Sequence, residues 1–254
     1  MTDLELRALL ERVRSGETTV DGAAAQFAAA QGRIDFAHVD LDRHKRCGFP
    51  EVIFCEGKSC EWVEGVVHKL AEAKQDCLAT RVSQDQSLHL ARLFPQAEQD
   101  RLARTFWLPA SERGPALGRV TVITAGTSDL PVAQEAVVTA RAMGCEVTLM
   151  ADVGVAGIHR LLRQTDKFRH ADAVVAVAGM DGALPSVVGG LADRPVIAVP
   201  TSVGYGAAFG GVAALLTMLN ACPANVVVVN IDAGFKGGFV AALIARNAKK
   251  ADSI

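Results

Sequence analysis

The sequence predicts an α/β protein whose C-terminal half is a three-layer, doubly wound parallel sheet, with a smaller N-terminal α/β domain preceded by helices. Three observations predict it. Short, wholly apolar runs recur from about residue 120 onward, each followed by a polar or glycine-rich turn and then a helical pattern. Strands buried on both faces read as unbroken apolar runs, and β-α alternation at short spacing requires right-handed crossovers in a parallel sheet. Sixteen of the 23 glycines lie from Gly118 onward, where tight strand-to-helix turns are needed.

The totals set limits on this reading. At 254 residues, half of them apolar, the chain is long enough to bury a substantial core. Its 28 acidic and 26 basic residues nearly cancel, so no long-range field steers it to nucleic acid or an anionic membrane. The opening Met1-Thr2-Asp3-Leu4-Glu5 has no basic start or apolar run, and a cytoplasmic location with reduced cysteines is expected. The six cysteines make no Cys-x-x-Cys pair and no zinc spacing with the histidines. Pro195 to Ile231 carries no charge, but Pro200, Gly204, Gly206, Gly210, Gly211 and Pro223 interrupt it, so it reads as strand, loop, helix and strand, not as a membrane span.

In chain order, residues 2–14 and 19–30 have helical spacing, with Gly16 between them and Thr19 as N-cap. Arg33–Leu41 and Glu51–Phe54 have short β patterns, Cys60–Lys74 a helical one, and Cys77–Val82 another strand pattern. The polar, proline-punctuated stretch from about Pro95 to Gly118 marks a boundary, giving domains of residues 1–115 and 116–254. Beyond it the expected strands are Val120–Ala125, Glu146–Met150, Ala173–Ala178, Val196–Val199 and Val226–Ile231, with an Ala/Gly-rich helix over Gly206–Ala221.

Ligands in such sheets sit outside the carboxyl ends of the strands, so the loops there carry the candidate chemistry. Gly126-Thr127-Ser128-Asp129-Leu130-Pro131 follows the first strand. Its polar groups are either helix caps or a cradle for phosphate or ribose. Gly179-Met180-Asp181-Gly182 follows the third strand, and Asp181 is either a turn residue or a partly desolvated general base. Thr201-Ser202-Val203-Gly204-Tyr205 follows the fourth, offering hydroxyls and the chain's one tyrosine. Cys222 follows the Ala/Gly-rich helix; alone, such a cysteine is most often a buried structural residue. No Ser-His-Asp hydrolase is suggested, because the last histidine is His170 and none accompanies these loops, and neither Gly-x-Gly-x-x-Gly nor a P-loop is present.

Taken together, Ala125–Pro131, Gly179–Gly190, Pro200–Gly206, Asn220–Pro223 and Asn230–Phe235 resemble the superfamily of the purine-pathway carboxyaminoimidazole ribonucleotide mutases. The closer resemblance is to the pyridinium-3,5-biscarboxylic acid mononucleotide synthases of nickel-pincer nucleotide biosynthesis. It extends into the N-terminal half through Asp40, Arg43, Arg46, Gly48, Pro50, Glu51, Lys58 and Thr80-Arg81. The mutases have a catalytic histidine where this chain has Ala183, whereas the synthases have a cysteine at the position of Cys222. The chain departs from the synthases' last motif at Ala233 and Lys236.

The resemblance implies an enzyme that carboxylates the pyridinium ring of nicotinic acid adenine dinucleotide with CO2 or bicarbonate and cleaves the phosphoanhydride to release AMP. It implies Cys222 as covalent nucleophile and Asp181 as base, with Thr127, Ser128, Asp129, Gly179, Met180, Thr201 and Ser202 around the nucleotide. Arg43, Arg46 and Lys58 are candidates for the pyrophosphate or adenylate end, against the competing reading of solvated surface charge. Mg2+ is expected for the phosphoanhydride step, with no ligand set readable, and a homo-oligomer of dimers or an octamer is implied. The competing functions are a purine-type carboxylase or mutase and a non-catalytic nucleotide-binding module.

Overall fold

The computed structural model describes residues 3–30, 32–34, 36–111 and 114–251. Thr2, Asp35 and the linker residues Glu112 and Arg113, all within expected elements or the expected boundary, lie outside the described residues. The chain divides into two compact units, Met1–Glu98 with Phe106–Ser111, and Gln99–Thr105 with Glu112–Ile254.

The first unit opens with helices α1 (Asp3–Arg14) and α2 (Val20–Ala30), the second capped by Thr19, whose hydroxyl accepts from Gly22 N at 3.0 Å. The expected strand over Arg33–Leu41 is instead a two-rung hairpin of β1 (Arg33–Ile34) and β2 (Ala37–His38). Helix α3 (Arg43–Cys47), strand β3 (Val52–Phe54), helix α4 (Cys60–Glu72), strand β4 (Cys77–Thr80) and helix α5 (Gln84–Leu93) follow. Helix α5, which sequence reading passed over, starts on a full capping box: Ser83 Oγ accepts from Gln86 N while Gln86 Oε1 accepts from Ser83 N.

The stretch expected to be an irregular boundary holds two strands, β5 (Glu98–Asp100) and β6 (Thr105–Leu108). All four residues of β6 are buried, and it pairs antiparallel with β4 inside a sheet of order β3-β4-β6-β5. Three apolar residues after a threonine are too few to show a period, so only their long-range partner reveals them. Phe106 and Leu108 join Val63, Val67 and Leu70 of α4 in this unit's core.

The second unit is the expected doubly wound domain. Strands β7 (Arg119–Thr124), β8 (Glu146–Met150), β9 (Ala173–Ala178), β10 (Val196–Pro200) and β11 (Val226–Val228) form one all-parallel sheet in the order β11-β10-β9-β7-β8. Between them lie α6 (Leu130–Ala142), the single turns α7 (His159–Leu162) and α8 (Asp166–Arg169), α9 (Leu184–Leu191) and α10 (Val212–Leu219), with α11 (Gly234–Ala251) last. Every residue of central β9 is buried. A buried valine contributes about 1.5–3 kcal/mol relative to an exposed one, so β9 and its neighbours anchor the core.

Two expectations are corrected at the β11 end. The last strand stops at Val228; Val229 N still bonds Ala198 O, and beyond it the chain turns so that Asp232 N reaches Pro200 O. The helix expected over Gly206–Ala221 is broken: Gly206–Gly211 is a 3₁₀ stretch in which Phe209 and Gly210 have φ of 45° and 61°, and only Val212–Leu219 is α-helical. Positive φ at two successive residues cannot continue a right-handed helix. Among the described residues no helix is long and apolar enough to cross a membrane.

Candidate active site

Topology places the site before any side chain does. From β7 the chain steps outward to β8 and then returns past β7 to β9, so the strand order reverses between β7 and β9. The crevice outside the carboxyl ends at such a reversal is where doubly wound sheets bind ligands. The loops that meet there are Thr127–Asp129 after β7 and Gly179–Asp181 after β9, with Thr201–Ser202 after β10 beside them. Seven of the residues expected around the nucleotide, together with the expected base Asp181, therefore share one edge of one sheet.

Their side chains have divided the work. Asp129 is 4% exposed, and both carboxylate oxygens already have donors, Gly126 N to Oδ2 at 2.9 Å and Thr201 Oγ1 to Oδ1 at 2.7 Å. Thr201 is fully buried. These two side chains are committed to each other, and the groups left facing solvent are Thr127, Ser128 and Ser202. Ser202 N donates to Asp232 Oδ1 at 2.8 Å, tying the loop after β11 to the one after β10. Met180 N donates to Val203 O at 2.9 Å, tying in the loop after β9.

Backbone strain concentrates on the same edge. Met180 and Asp232 are non-glycine residues at φ 54°, each costing on the order of 1–2 kcal/mol. Gly179 has no freedom to be anything else, since a Cβ there would lie 2.2 Å from Val203 O and 2.7 Å from Thr201 Oγ1. Asp181 itself is exposed, its Oδ1 accepting from Ala183 N at 3.3 Å. The expected partial desolvation is absent, because Met180's left-handed turn swings the next residue outward into solvent.

Cys222 lies elsewhere. It is an exposed, free thiol in the segment between α10 and β11, and a chain leaving a crossover helix re-enters a parallel sheet at its amino edge. Asn225 fixes that segment there: its amide nitrogen donates to Gly189 O, Ala192 O and Arg194 O, and its carbonyl accepts from Val196 N at the start of β10. Within its own chain Cys222 therefore lies at the amino edge of the sheet and not beside the strand-end loops. The strands' own length, about 3.3 Å per residue over five residues, separates Cys222 from Asp181 within one chain by roughly 16 Å.

Three of the other five cysteines, Cys55, Cys77 and Cys145, are buried. Burial pushes the Cys145 thiol up to about 11 and raises Cys77 further still, while Cys55 is also buried. Cys47, on the short α3 of the first unit, is exposed like Cys222.

In that first unit the three cations expected at the phosphates stand differently. Arg46 NH2 lies 2.5 Å from Asp40 Oδ2, and this hydrogen bond holds the Asp40 carboxyl below its ordinary value. Lys58 Nζ donates to Phe54 O and sits 5.7 Å from the Phe54 ring centre. Arg43 has a buried Nε with no hydrogen-bond partner among the described residues, and its charge helps to lower the Asp40 carboxyl. Among the described residues no group of three or more His, Cys, Asp or Glu side chains is placed to hold a metal ion.

Sequence reading missed Asp232 and the pairing of Asp129 with Thr201. Asp232 sits in the Asn-Ile-Asp-Ala-Gly turn, whose Asp and Gly signal a tight turn but not its bonding partner. The class this edge defines is a doubly wound α/β protein whose strand-end loops are pinned by carboxylates at a topological switch point. Residues 119–252 match the AIR carboxylase family model, and residues 31–110 match the LarB/PurE-like N-terminal domain. The chain belongs to the AIR carboxylase family, within the LarB/PurE superfamily. An uncharacterized protein of Methanocaldococcus jannaschii is 37% identical over 254 residues, covering 95% of this chain and 97% of its own. The N5-carboxyaminoimidazole ribonucleotide mutase of the same organism is 35% identical over 126 residues, covering 48% of this chain and 75% of its own.

Proposed function

We propose that the protein carboxylates the pyridinium ring of nicotinic acid adenine dinucleotide and hydrolyses its phosphoanhydride, giving pyridinium-3,5-biscarboxylic acid mononucleotide and AMP. The observation that carries this reading is the free, exposed thiol of Cys222 in a chain that has Ala183 where a proton-shuttling histidine would serve a purine mutase.

An electron-poor pyridinium does not attack CO2. Addition of the Cys222 thiolate to the ring forms a C–S bond and converts the ring to a dihydropyridine, whose enamine carbon then bonds to CO2, the ring nitrogen taking back the positive charge. Asp181 removes the proton from the carboxylated carbon, and those electrons expel the thiolate and restore the aromatic ring. Water cleaves the phosphoanhydride separately. Thr127, Ser128 and Ser202 present hydroxyls to the ribose and phosphate, while Asp129 and Thr201 hold that edge in shape. Mg2+ would supply charge neutralisation at the phosphoanhydride, though among the described residues no group of three or more His, Cys, Asp or Glu side chains fits it.

On this reading the ring would meet Cys222 of one subunit and Asp181 of another, since within one chain the two lie at opposite edges of the sheet. Incubation with nicotinic acid adenine dinucleotide, bicarbonate and Mg2+ should release AMP together with a doubly carboxylated mononucleotide. Turnover of aminoimidazole ribonucleotide instead would assign the purine-type reaction, and binding without product would leave a nucleotide-binding module.

A further inference from the structure

Strand β8 is an edge of the parallel sheet, and the crossover that leaves it is short: α7 and α8 are single turns of four residues each. Each turn is only about 6 Å long, too little to cover the amino halves of β7 and β8. Side chains alternate along a strand, so Arg119, Thr121, Glu146 and Thr148 share the face on which Ile123 and Met150 meet Phe168 of α8. Register sets Arg119 beside Glu146 and Thr121 beside Thr148. These four floor a cleft of about 200 Å³, and Lys167 and His170 line it from the α8 segment.

The cleft is fixed at both ends of that segment. Thr121, itself buried, donates from Oγ1 to Lys167 O at 2.9 Å, and Arg119 N donates to Asp172 Oδ2 at 2.7 Å. Lys167 and His170 are thereby held over the floor. The cleft opens at the start of β7, whereas Thr127–Asp129 follow its end, roughly 20 Å away along the strand.

We propose that this cleft binds a small phosphomonoester, with its phosphate on Arg119, Lys167 and His170 and its hydroxyls on Glu146 and Thr148. Arg119 and Glu146 stand side by side yet make no ion pair with each other, so the guanidinium keeps a donor fork suited to two phosphate oxygens. Lys167 Nζ gives one hydrogen to Gln164 Oε1 at 2.8 Å and keeps two of its three. His170 adds a ring N–H. Donors from three side chains suit the three terminal oxygens of a phosphate better than the two coplanar oxygens of a carboxylate. The one carboxylate in the lining, Glu146, disfavours a bare anion and accepts from hydroxyls, which selects a polyol phosphate. The volume lies below the about 300–1,000 Å³ of sites for drug-sized ligands, which selects a sugar phosphate over a dinucleotide.

Binding here is independent of the reaction proposed above and is read without turnover. In an NMR titration of the wild-type protein with ribose 5-phosphate, the imidazole signal that is missing from His170→Gln should move and saturate. Arg119→Gln and Lys167→Gln, both at exposed positions on different elements, should each weaken binding at least about ten-fold, the loss of one charge-assisted hydrogen bond. Glu146→Ala should weaken ribose 5-phosphate but not inorganic phosphate, because only the sugar has hydroxyls to lose. A His170 signal unmoved by millimolar ribose 5-phosphate, succinate bound as tightly as the sugar phosphate, or unchanged affinity in both cation variants would each overturn the proposal. Equal weakening of both ligands by Glu146→Ala would overturn the assignment of its hydroxyls.

Discussion

Asp129 Oδ1 accepts a 2.7 Å hydrogen bond from Thr201 Oγ1, joining the loops after β7 and β10 across the end of β9, which lies between those strands in the sheet. The bond arches over Gly179, whose missing side chain leaves room for it. A buried carboxylate is tolerable only when its oxygens are satisfied, so this pair sets the shape of the edge as well as joining it.

Removing the hydroxyl should therefore cost more than one ordinary hydrogen bond. Thr201→Val should lower stability by about 1–3 kcal/mol, because the buried acceptor is left unpaired, as read by urea denaturation. Thr201→Ser, which keeps the donor, should recover most of the loss. Equal stabilities for the valine and serine variants would mean the bond contributes nothing.

Gly179→Ala should destabilise by about 1–3 kcal/mol, because overpacking against backbone cannot be relieved by a rotamer change. Gly190→Ala is the control, since nothing lies within 4 Å of that position. A thermal melt in which the two variants behave alike would count against the close approach.

Thiol labelling at pH 8 should divide the cysteines by burial. Thiolate is the reactive form, so Cys222 and Cys47 should react fast, while Cys145, pushed up to about 11, and Cys77, raised more, should react only on unfolding. Cys222→Ser should remove one fast equivalent. Rapid modification of Cys145 in the native protein would show that its surroundings are not as described.

Asp40 gives a pH signature of known sign. Its folded value is depressed by the Arg46 hydrogen bond, so the stabilisation is present above the unfolded carboxyl value and is lost as pH falls through the lower folded one. The pair is exposed, so solvent screening keeps its contribution to stability small. Arg46→Ala should move the Asp40 titration, followed by carboxyl NMR, back up towards the ordinary aspartate range, with little change in melting temperature at pH 7.

Cys222→Ser and Asp181→Asn should each bind substrate and lose carboxylated product, by at least ~10²-fold for the base. If thiol and carboxylate come from different copies, subunits of the two dead variants mixed by mild unfolding and refolding should regain activity. With statistical pairing about a quarter of the sites would be intact, since half the dimers are mixed and each has one complete site. No recovery after demonstrated subunit exchange would put both groups in one chain.

The parallel sheet was legible in the sequence because β7, β8 and β9 are local signals, short apolar runs bounded by turns, and each falls within a residue of its expected limits. Strand β6 was not legible, since Thr-Phe-Trp-Leu is a strand only through its antiparallel pairing with β4, some thirty residues earlier. The broken start of α10 was hidden for a related reason: alanines and glycines suit a helix locally, and only the left-handed backbone at Phe209 and Gly210 ends it.

The residue types of the edge, Thr127 to Asp129, Asp181, Thr201 and Ser202, were readable from the sequence because strand-end loops follow from the order of elements. Which of them bond one another was not readable, because Asp129 and Thr201 are 72 residues apart and meet only when β9 is laid between their strands. Chain order likewise placed Cys222 next to an active loop. The direction of a crossover helix, fixed by the parallel sheet, sent it to the opposite edge.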